Sequence, residues 1–191
     1  MGAQISQPGR SDAMHSKERW PFMNRHQHMA TKDVTPLPDQ EIIQEDVAQG
    51  RFRSKVNLSD AYEQVQVCVE DVNKTAFVTI AGTYVSNIMQ QGDCNAPATF
   101  QCLMMLIFQN VIGKFMHIYL DDIFIYSNSV EEHKQHLKII FDRLRKNSLY
   151  LEWSKCNLYV KEIDCLSHII DDQGIHPNTD KLASIREWRT P

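Results

Sequence analysis

The segment Phe115-Met-His-Ile-Tyr-Leu-Asp-Asp-Ile-Phe-Ile-Tyr126 constrains this chain most, because two adjacent carboxylates, Asp121 and Asp122, sit at the centre of a run that is otherwise almost wholly apolar. Its β-branched and aromatic flanks favour strands, and the acidic pair is the turn-compatible spot between them. The pattern predicts a β-hairpin tipped by the two Asp. Adjacent carboxylates repel and cost free energy unless solvent, a cation or a counter-charge compensates them. The nearest basic residues in sequence, Lys114 and Lys134, lie well outside the pair. Two readings follow, a solvated hairpin turn or a site for a divalent metal. Tyr119-Leu120-Asp121-Asp122 taken alone favours the turn, so the rest of the chain has to decide.

Charge is distributed unevenly around this centre. Residues 57–130 hold seven acidic and two basic residues, whereas residues 131–191 hold ten of each, within a net charge of −4. The middle is acidic, as a metal-binding centre would be. Any grip on nucleic-acid phosphates, which normally needs a basic stripe, has to come from the flanks. At 191 residues and 42% hydrophobic the chain can bury one sizeable core. No window approaches the roughly 20 apolar residues of a membrane span, and the start lacks the apolar stretch of a secretory signal, so the expectation is an intracellular protein. Met1-Gly2-Ala3-Gln4-Ile5-Ser6 matches an N-myristoylation pattern, but no second anchor accompanies it, and no stable membrane attachment is expected. Cys68, Cys94, Cys102, Cys156 and Cys165 are scattered without a Cys-x-x-Cys pair and read as ordinary thiols.

Residues 1–30 carry no periodic apolar pattern and read as a poorly ordered leader. Asp39 is placed to cap a short helix that turns Ile42, Ile43 and Val47 inward and stops at Gly50. Phe52 to Leu58 reads as a strand, Ser59 to Tyr62 as a turn, and the alternation of Val65, Val67 and Val69 as a half-buried strand. Lys74 to Ile80 and Tyr84 to Met89 form a hairpin bent at Ala81-Gly82. Asn95 caps a helix with Pro97 in its first turn and Gly113 at its end, apolar nearly all round and therefore buried. Ser129-Val-Glu-Glu132 is a capping box opening an amphipathic helix with Leu137, Ile140, Phe141 and Leu144 on one face. His133 and His136 on that helix have a spacing that could hold a metal, yet their Lys and Gln neighbours favour a solvated face. Ile163 to Ile175 forms a last hairpin, and a final helix starts at Asn178 or Thr179. The sum is an α+β fold, an antiparallel sheet covered by helices on one face.

Six stretches in this order carry a resemblance: Lys-Asp-Val-Thr-Pro-Leu-Pro-Asp (32–39), Ser-Lys-Val-Asn-Leu-Ser-Asp-Ala-Tyr (54–62), Lys-Thr-Ala-Phe (74–77), Met-Gln-Gln-Gly-Asp-Cys-Asn-Ala-Pro-Ala-Thr-Phe (89–100), Tyr-Leu-Asp-Asp (119–122) and Leu-Ser-His-Ile-Ile (166–170). Together they resemble the reverse transcriptase of Ty3/Gypsy-type long-terminal-repeat retrotransposons, of fungal type. The resemblance implies a right-hand polymerase palm with partial fingers over 31–175 and the start of a thumb over 176–191. The rest of the polyprotein, including thumb, ribonuclease H and integrase, would be absent from this chain. It implies RNA-directed DNA synthesis with two Mg²⁺ ions, a template-primer of RNA or DNA, and deoxynucleoside triphosphates. Asp121 and Asp122 would be metal ligands, Asp60 and Ala61 would offer backbone amides to the triphosphate, Tyr62 would exclude the ribose 2′-hydroxyl, and Gln91 would pack beside the nucleotide.

Three departures stand out against that family. Its first catalytic carboxylate, the Asp of Lys-x-Asp-Leu, is Asn57 in Lys55-Val56-Asn57-Leu58. An amide keeps one oxygen but loses the charge that draws two dications together, so nucleotidyl transfer is expected to be strongly impaired, with a second ion in doubt. The family's basic fingers segment, expected around Trp20 to Thr31, leaves only Arg25, and the family's Leu-Gly-His reads Leu166-Ser167-His168. The alternatives are a non-catalytic nucleic-acid-binding remnant of the palm and, ranked last, an unrelated metal-dependent phosphohydrolase.

Overall fold

A computed structural model of the protein describes residues 37–178. The expectations for the leader over 1–30, its acylation pattern, Arg25 and the final helix from Thr179 onward lie outside those residues. Helix α1 (Gln40–Gln49) begins where the Asp39 carboxylate accepts from the Glu41 amide at 2.9 Å. It stops at Gly50, where a Cβ would come within 2.7 Å of Tyr126 Cβ and only glycine lets the chain pass. Then come β1 (Phe52–Asn57), a 3-10 turn (Ala61–Gln64), the hairpin β2 (Phe77–Thr79) and β3 (Gly82–Tyr84), and α2 (Ala96–Phe108). The Asp-tipped hairpin is β4 (Met116–Tyr119) and β5 (Asp122–Ser127), followed by α3 (Val130–Lys146). Strands β6 (Asn157–Val160), β7 (Ile163–Cys165), β8 (His168–Asp171) and β9 (Gly174–Pro177) complete the order.

The main sheet runs β4-β5-β1-β6, antiparallel at each pairing, with a separate β7-β8-β9 sheet. Cross-strand partners share a face, so Val56, Ile118, Ile123 and Ile125 point to the larger core with Phe100, Met104, Phe108, Leu137 and Ile140 of α2 and α3. Thus the two long helices cover one face. On the other, Phe124 meets Ile43 and Val47 of α1 and Ile163, Cys165 and Ile170 of the small sheet. Arg53, 1% exposed, ties these parts together. Its guanidinium donates to the Val47 and Ala48 carbonyls at the end of α1, to Lys161 O and Asp171 O, and to Asp172 Oδ1. A cation there is matched to helix carbonyls that have no partner within the helix.

Five local readings of the sequence are corrected, the last of them at His133. Ile42 faces solvent, and Gln44 takes its buried place, because the Gln44 amide reaches Cys165 O, Leu166 O and His168 Nδ1. Val65, Val67 and Val69 do not form a strand: only Gln66 makes a bridge, to Ile88, flanked by backbone hydrogen bonds from Val67 N to Asn87 O and from Met89 N to Val65 O, both 2.9 Å, and the pairing stops before Val69, which is 88% exposed. Helix α2 ends at Phe108, short of Gly113, because the Val111 and Ile112 amides both turn back to Phe108 O. Nor is it buried all round, for Met105 and Leu106 are about 40% exposed.

The capping box opens α3 as read, with Ser129 Oγ accepting from the Glu132 amide. His133, however, is not on a solvated face. It is fully buried, with Nε2 2.7 Å from Ser54 Oγ and Nδ1 2.8 Å from Ser127 Oγ, while Ser127 Oγ also lies 2.7 Å from His136 Nδ1 and His136 stacks on Phe115. The helix turns the two imidazoles inward because two serine hydroxyls on the sheet satisfy them. Burial, and secondarily the neighbouring His136, push His133 down to about 4. A buried imidazole that resists protonation makes the unfolded chain bind more protons between pH 6.5 and pH 4. Stability contributed by His133 is therefore complete above its unfolded value and lost as pH falls through that window, by about 3 kcal/mol in all. Urea unfolding across this range should show the loss, and His133→Gln should flatten it; an unchanged slope in the variant would contradict the assignment.

Candidate active site

The register of β1 against β5 builds the site. Asn57 pairs with Asp122, and Asp122 pairs in turn with Tyr119 across the β4–β5 turn, so all three share the face that carries Lys55 and Phe124. Leu120 and Asp121 form the turn itself, with Leu120 at φ +55°, a conformation that L side chains avoid unless neighbours impose it. Two such neighbours are present. Gln101 of α2, fully buried, accepts from the Leu120 amide at 3.0 Å and donates to Ile118 O at 3.2 Å. The Leu58 amide donates to Asp121 O at 3.0 Å. The Asp pair is thus clamped from α2 on one side and from the end of β1 on the other.

Its charge is compensated from β1. Asn57 Nδ2 donates to Asp121 Oδ2 at 3.1 Å and to Asp122 Oδ1 at 2.8 Å, and Lys55 Nζ lies 2.8 Å from Asp122 Oδ2. The Lys55 ammonium also stands 5.4 Å from the centre of the Phe124 ring, which favours its charge. The counter-charge missing near the pair in sequence therefore arrives through the strand pairing, two residues before Asn57 and on the same face.

Asn57, Asp121 and Asp122 come together as the sequence suggested. Tyr62 is beside them: its ring meets Phe100 edge-on at 5.6 Å, and burial, then the Asp121 charge, raise its phenol above the usual range. Asp60, at φ 44° and ψ 49°, opens the 3-10 turn whose first residue is the buried Ala61. Gln91 stands exposed on the loop before α2 and makes no hydrogen bond to the Asp pair among the described residues. At the β7–β8 turn Leu166 and Ser167 both have positive φ, 52° and 76°, so a serine occupies a position where glycine would be unstrained. Sequence reasoning missed Lys55, Gln44 and Gln101. The period-two spacing of Lys55 from Asn57, and lone glutamines within apolar helix patterns, were the available signals.

The arrangement does not fit a pair of dications. Among the described residues no three His, Cys, Asp or Glu side chains gather as metal ligands. In place of a third carboxylate, an N–H donor points at both Asp, and the Asn57 oxygen is buried without a partner. Also among the described residues, no helix is long and apolar enough to cross a membrane, and burial pushes the Cys165 thiol up to about 12.

Comparison with known proteins agrees with this geometry. Solved structures bear out the α+β palm with its Asp-tipped hairpin as the fold of reverse transcriptase polymerase domains. The foamy viral protease-reverse transcriptase in complex with an RNA/DNA hybrid superposes with a TM-score of 0.75 at 21% identity, over 83% of this chain and 21% of that one. The same enzyme type in complex with ds DNA gives 0.73 at 23%, over 82% and 28%. Residues 18–170 match the family described as reverse transcriptase (RNA-dependent DNA polymerase), and the chain belongs to that family, among its long-terminal-repeat retrotransposon members. It is 34% identical to the retrovirus-related Pol polyprotein from transposon 297 of Drosophila melanogaster and 26% identical to the transposon Tf2-3 polyprotein of Schizosaccharomyces pombe, each over 83% of its length. It spans 15% and 12% of those polyproteins.

Gln101 supports the turn through two buried hydrogen bonds, and its loss would strand Leu120 N and Ile118 O. Gln101→Leu should therefore cost about 2–3 kcal/mol in chemical denaturation. A loss under about 0.5 kcal/mol, the size of an ordinary surface change, would show that the turn holds itself.

Proposed function

We propose that this chain is the fingers and palm, residues 31–175, of a retrotransposon reverse transcriptase, with the start of a thumb over 176–191, in which nucleotidyl transfer is strongly impaired at Asn57. One observation carries the reading: the Asn57 amide donates to both carboxylates of the Asp-tipped turn, where a third carboxylate would complete a metal centre. In such a centre Mg²⁺ would lower the pKa of the primer 3′-hydroxyl and hold the leaving pyrophosphate, and the donors present here do not supply it.

What the remaining residues do is bind and orient. Backbone amides at Asp60 and Ala61, where the left-handed Asp60 opens the 3-10 segment, would face the triphosphate. Tyr62, fixed edge-on against Phe100, would bar a ribose 2′-hydroxyl and select deoxynucleoside triphosphates. Gln91, exposed before α2, would pack beside the nucleotide. The foamy viral relatives hold an RNA/DNA hybrid and ds DNA, which supports a template-primer as the partner of this chain. A palm that binds a template-primer without turnover is the state the Asn57 amide favours.

Primer extension on an RNA template with Mg²⁺, beside hybrid binding measured as a function of salt, tests this. The unaltered chain should bind the hybrid more weakly as salt rises and extend it little or not at all, while Asn57→Asp should extend it faster by roughly a thousandfold. Equal extension by the two would overturn the role given to Asn57. Absence of hybrid binding at low salt would overturn the polymerase reading itself.

A further inference from the structure

The Asp pair has a counter-ion of its own. Asp121 and Asp122 together share two hydrogen bonds from one amide, and Asp122 has the Lys55 ammonium on its other oxygen, so these two hydrogen bonds and this ion pair all come to the pair from β1. The orientation of the amide is fixed by this environment. Turned over, Asn57 would present an oxygen to two carboxylates and place Nδ2 where its Oδ1 now stands, a buried position with no hydrogen-bond partner. Asn57 is 6% exposed, and the side chains of Lys55 and Asp122 are 19% and 20% exposed, so water competes weakly for these contacts.

We propose that Asn57 and Lys55 form a clasp that takes the place of a divalent cation, so that the palm of this chain holds its Asp-tipped turn, and keeps its stability, without metal. The inference rests on the polymerase reading only for the choice of Mg²⁺ as the ion displaced. A cation entering between the carboxylates has to break both amide hydrogen bonds and push Lys55 aside, whereas a carboxylate at position 57 reverses the situation. Three carboxylates would then converge with one ammonium, and a bound cation would stabilise the fold by relieving their repulsion. Asn57 thus exchanges a cation site for a clasp within the fold.

Thermal unfolding of the full chain in EDTA, in saturating MgCl₂ and in KCl of matched ionic strength tests the clasp, with no nucleic acid present. The unaltered chain should melt at the same temperature in all three. Asn57→Asp should melt lower in EDTA by about 5 °C or more and recover in MgCl₂ but not in KCl. Asn57→Ser, which removes the amide donors without adding charge, and Lys55→Met should also melt lower in EDTA, and MgCl₂ should not restore the unaltered melting temperature in either. Should Asn57→Asp fold only with MgCl₂, the proposal is supported in its strongest form; should it fold in neither, the Ser and Met variants decide. The clasp is overturned if MgCl₂ raises the unaltered chain as much as the Asp variant, or if the Ser and Met variants melt as the unaltered chain does. These melts stand whether or not the chain binds a hybrid, so failure of the clasp and failure of the polymerase reading give different results.

Discussion

Two carboxylates on adjacent residues of one turn cannot be brought out of bulk water unless something positive comes with them, and in this protein that something is β1. The antiparallel register that sets Asn57 opposite Asp122 places the amide between Asp121 and Asp122 and brings Lys55 to the far oxygen of Asp122. Shifted by one residue, the strand would bury Lys55 and Asn57 in the apolar core and lift Val56 out of it. The hydrophobic pattern of β1 and β5 therefore fixes the electrostatics of the site as well as the packing.

Around that pairing the molecule is built from polar ties of high consequence. Gln101 links α2 to the turn, Gln44 links α1 to the β7–β8 turn, Arg53 closes the end of α1 onto three other segments, and His133 with its two serines joins α3 to the sheet. Each is a buried group with its partners present, which rigidifies the fold and makes loss of any one partner costly. Catalysis in a polymerase palm asks for such rigidity at the Asp turn. Here the same scaffold sets the Asp pair against the Asn57 amide and the Lys55 ammonium.

Most of the architecture was legible in the sequence because its signals are local. The capping box at Ser129, the Asp39 cap and the strand-turn-strand pattern around Asp121 each name their own element. The failures were of two kinds. Alternating valines at 65, 67 and 69 imitate a strand, but a strand lasts only as far as its neighbour bonds it, and here the pairing with residues 87–89 ends after Val67. His133 was read as solvated from its helix neighbours, yet what decides its burial are Ser54 and Ser127 on the sheet, remote in sequence or in another element. The candidate site divides in the same way. The Asp pair stood out from the apolar run around it and Asn57 from the family resemblance, while the ammonium of Lys55 was invisible as a counter-charge until β1 was laid beside β5.

If β1, and no metal, neutralises the Asp-tipped turn, crystals of the unaltered chain grown with Mn²⁺ will show it directly through anomalous diffraction at the manganese edge. No anomalous peak is expected between Asp121 and Asp122, with Asn57 Nδ2 still within hydrogen-bond distance of both. A manganese peak at about 2.0–2.2 Å from oxygens of both carboxylates, with the amide turned so that its oxygen joins them, would contradict it.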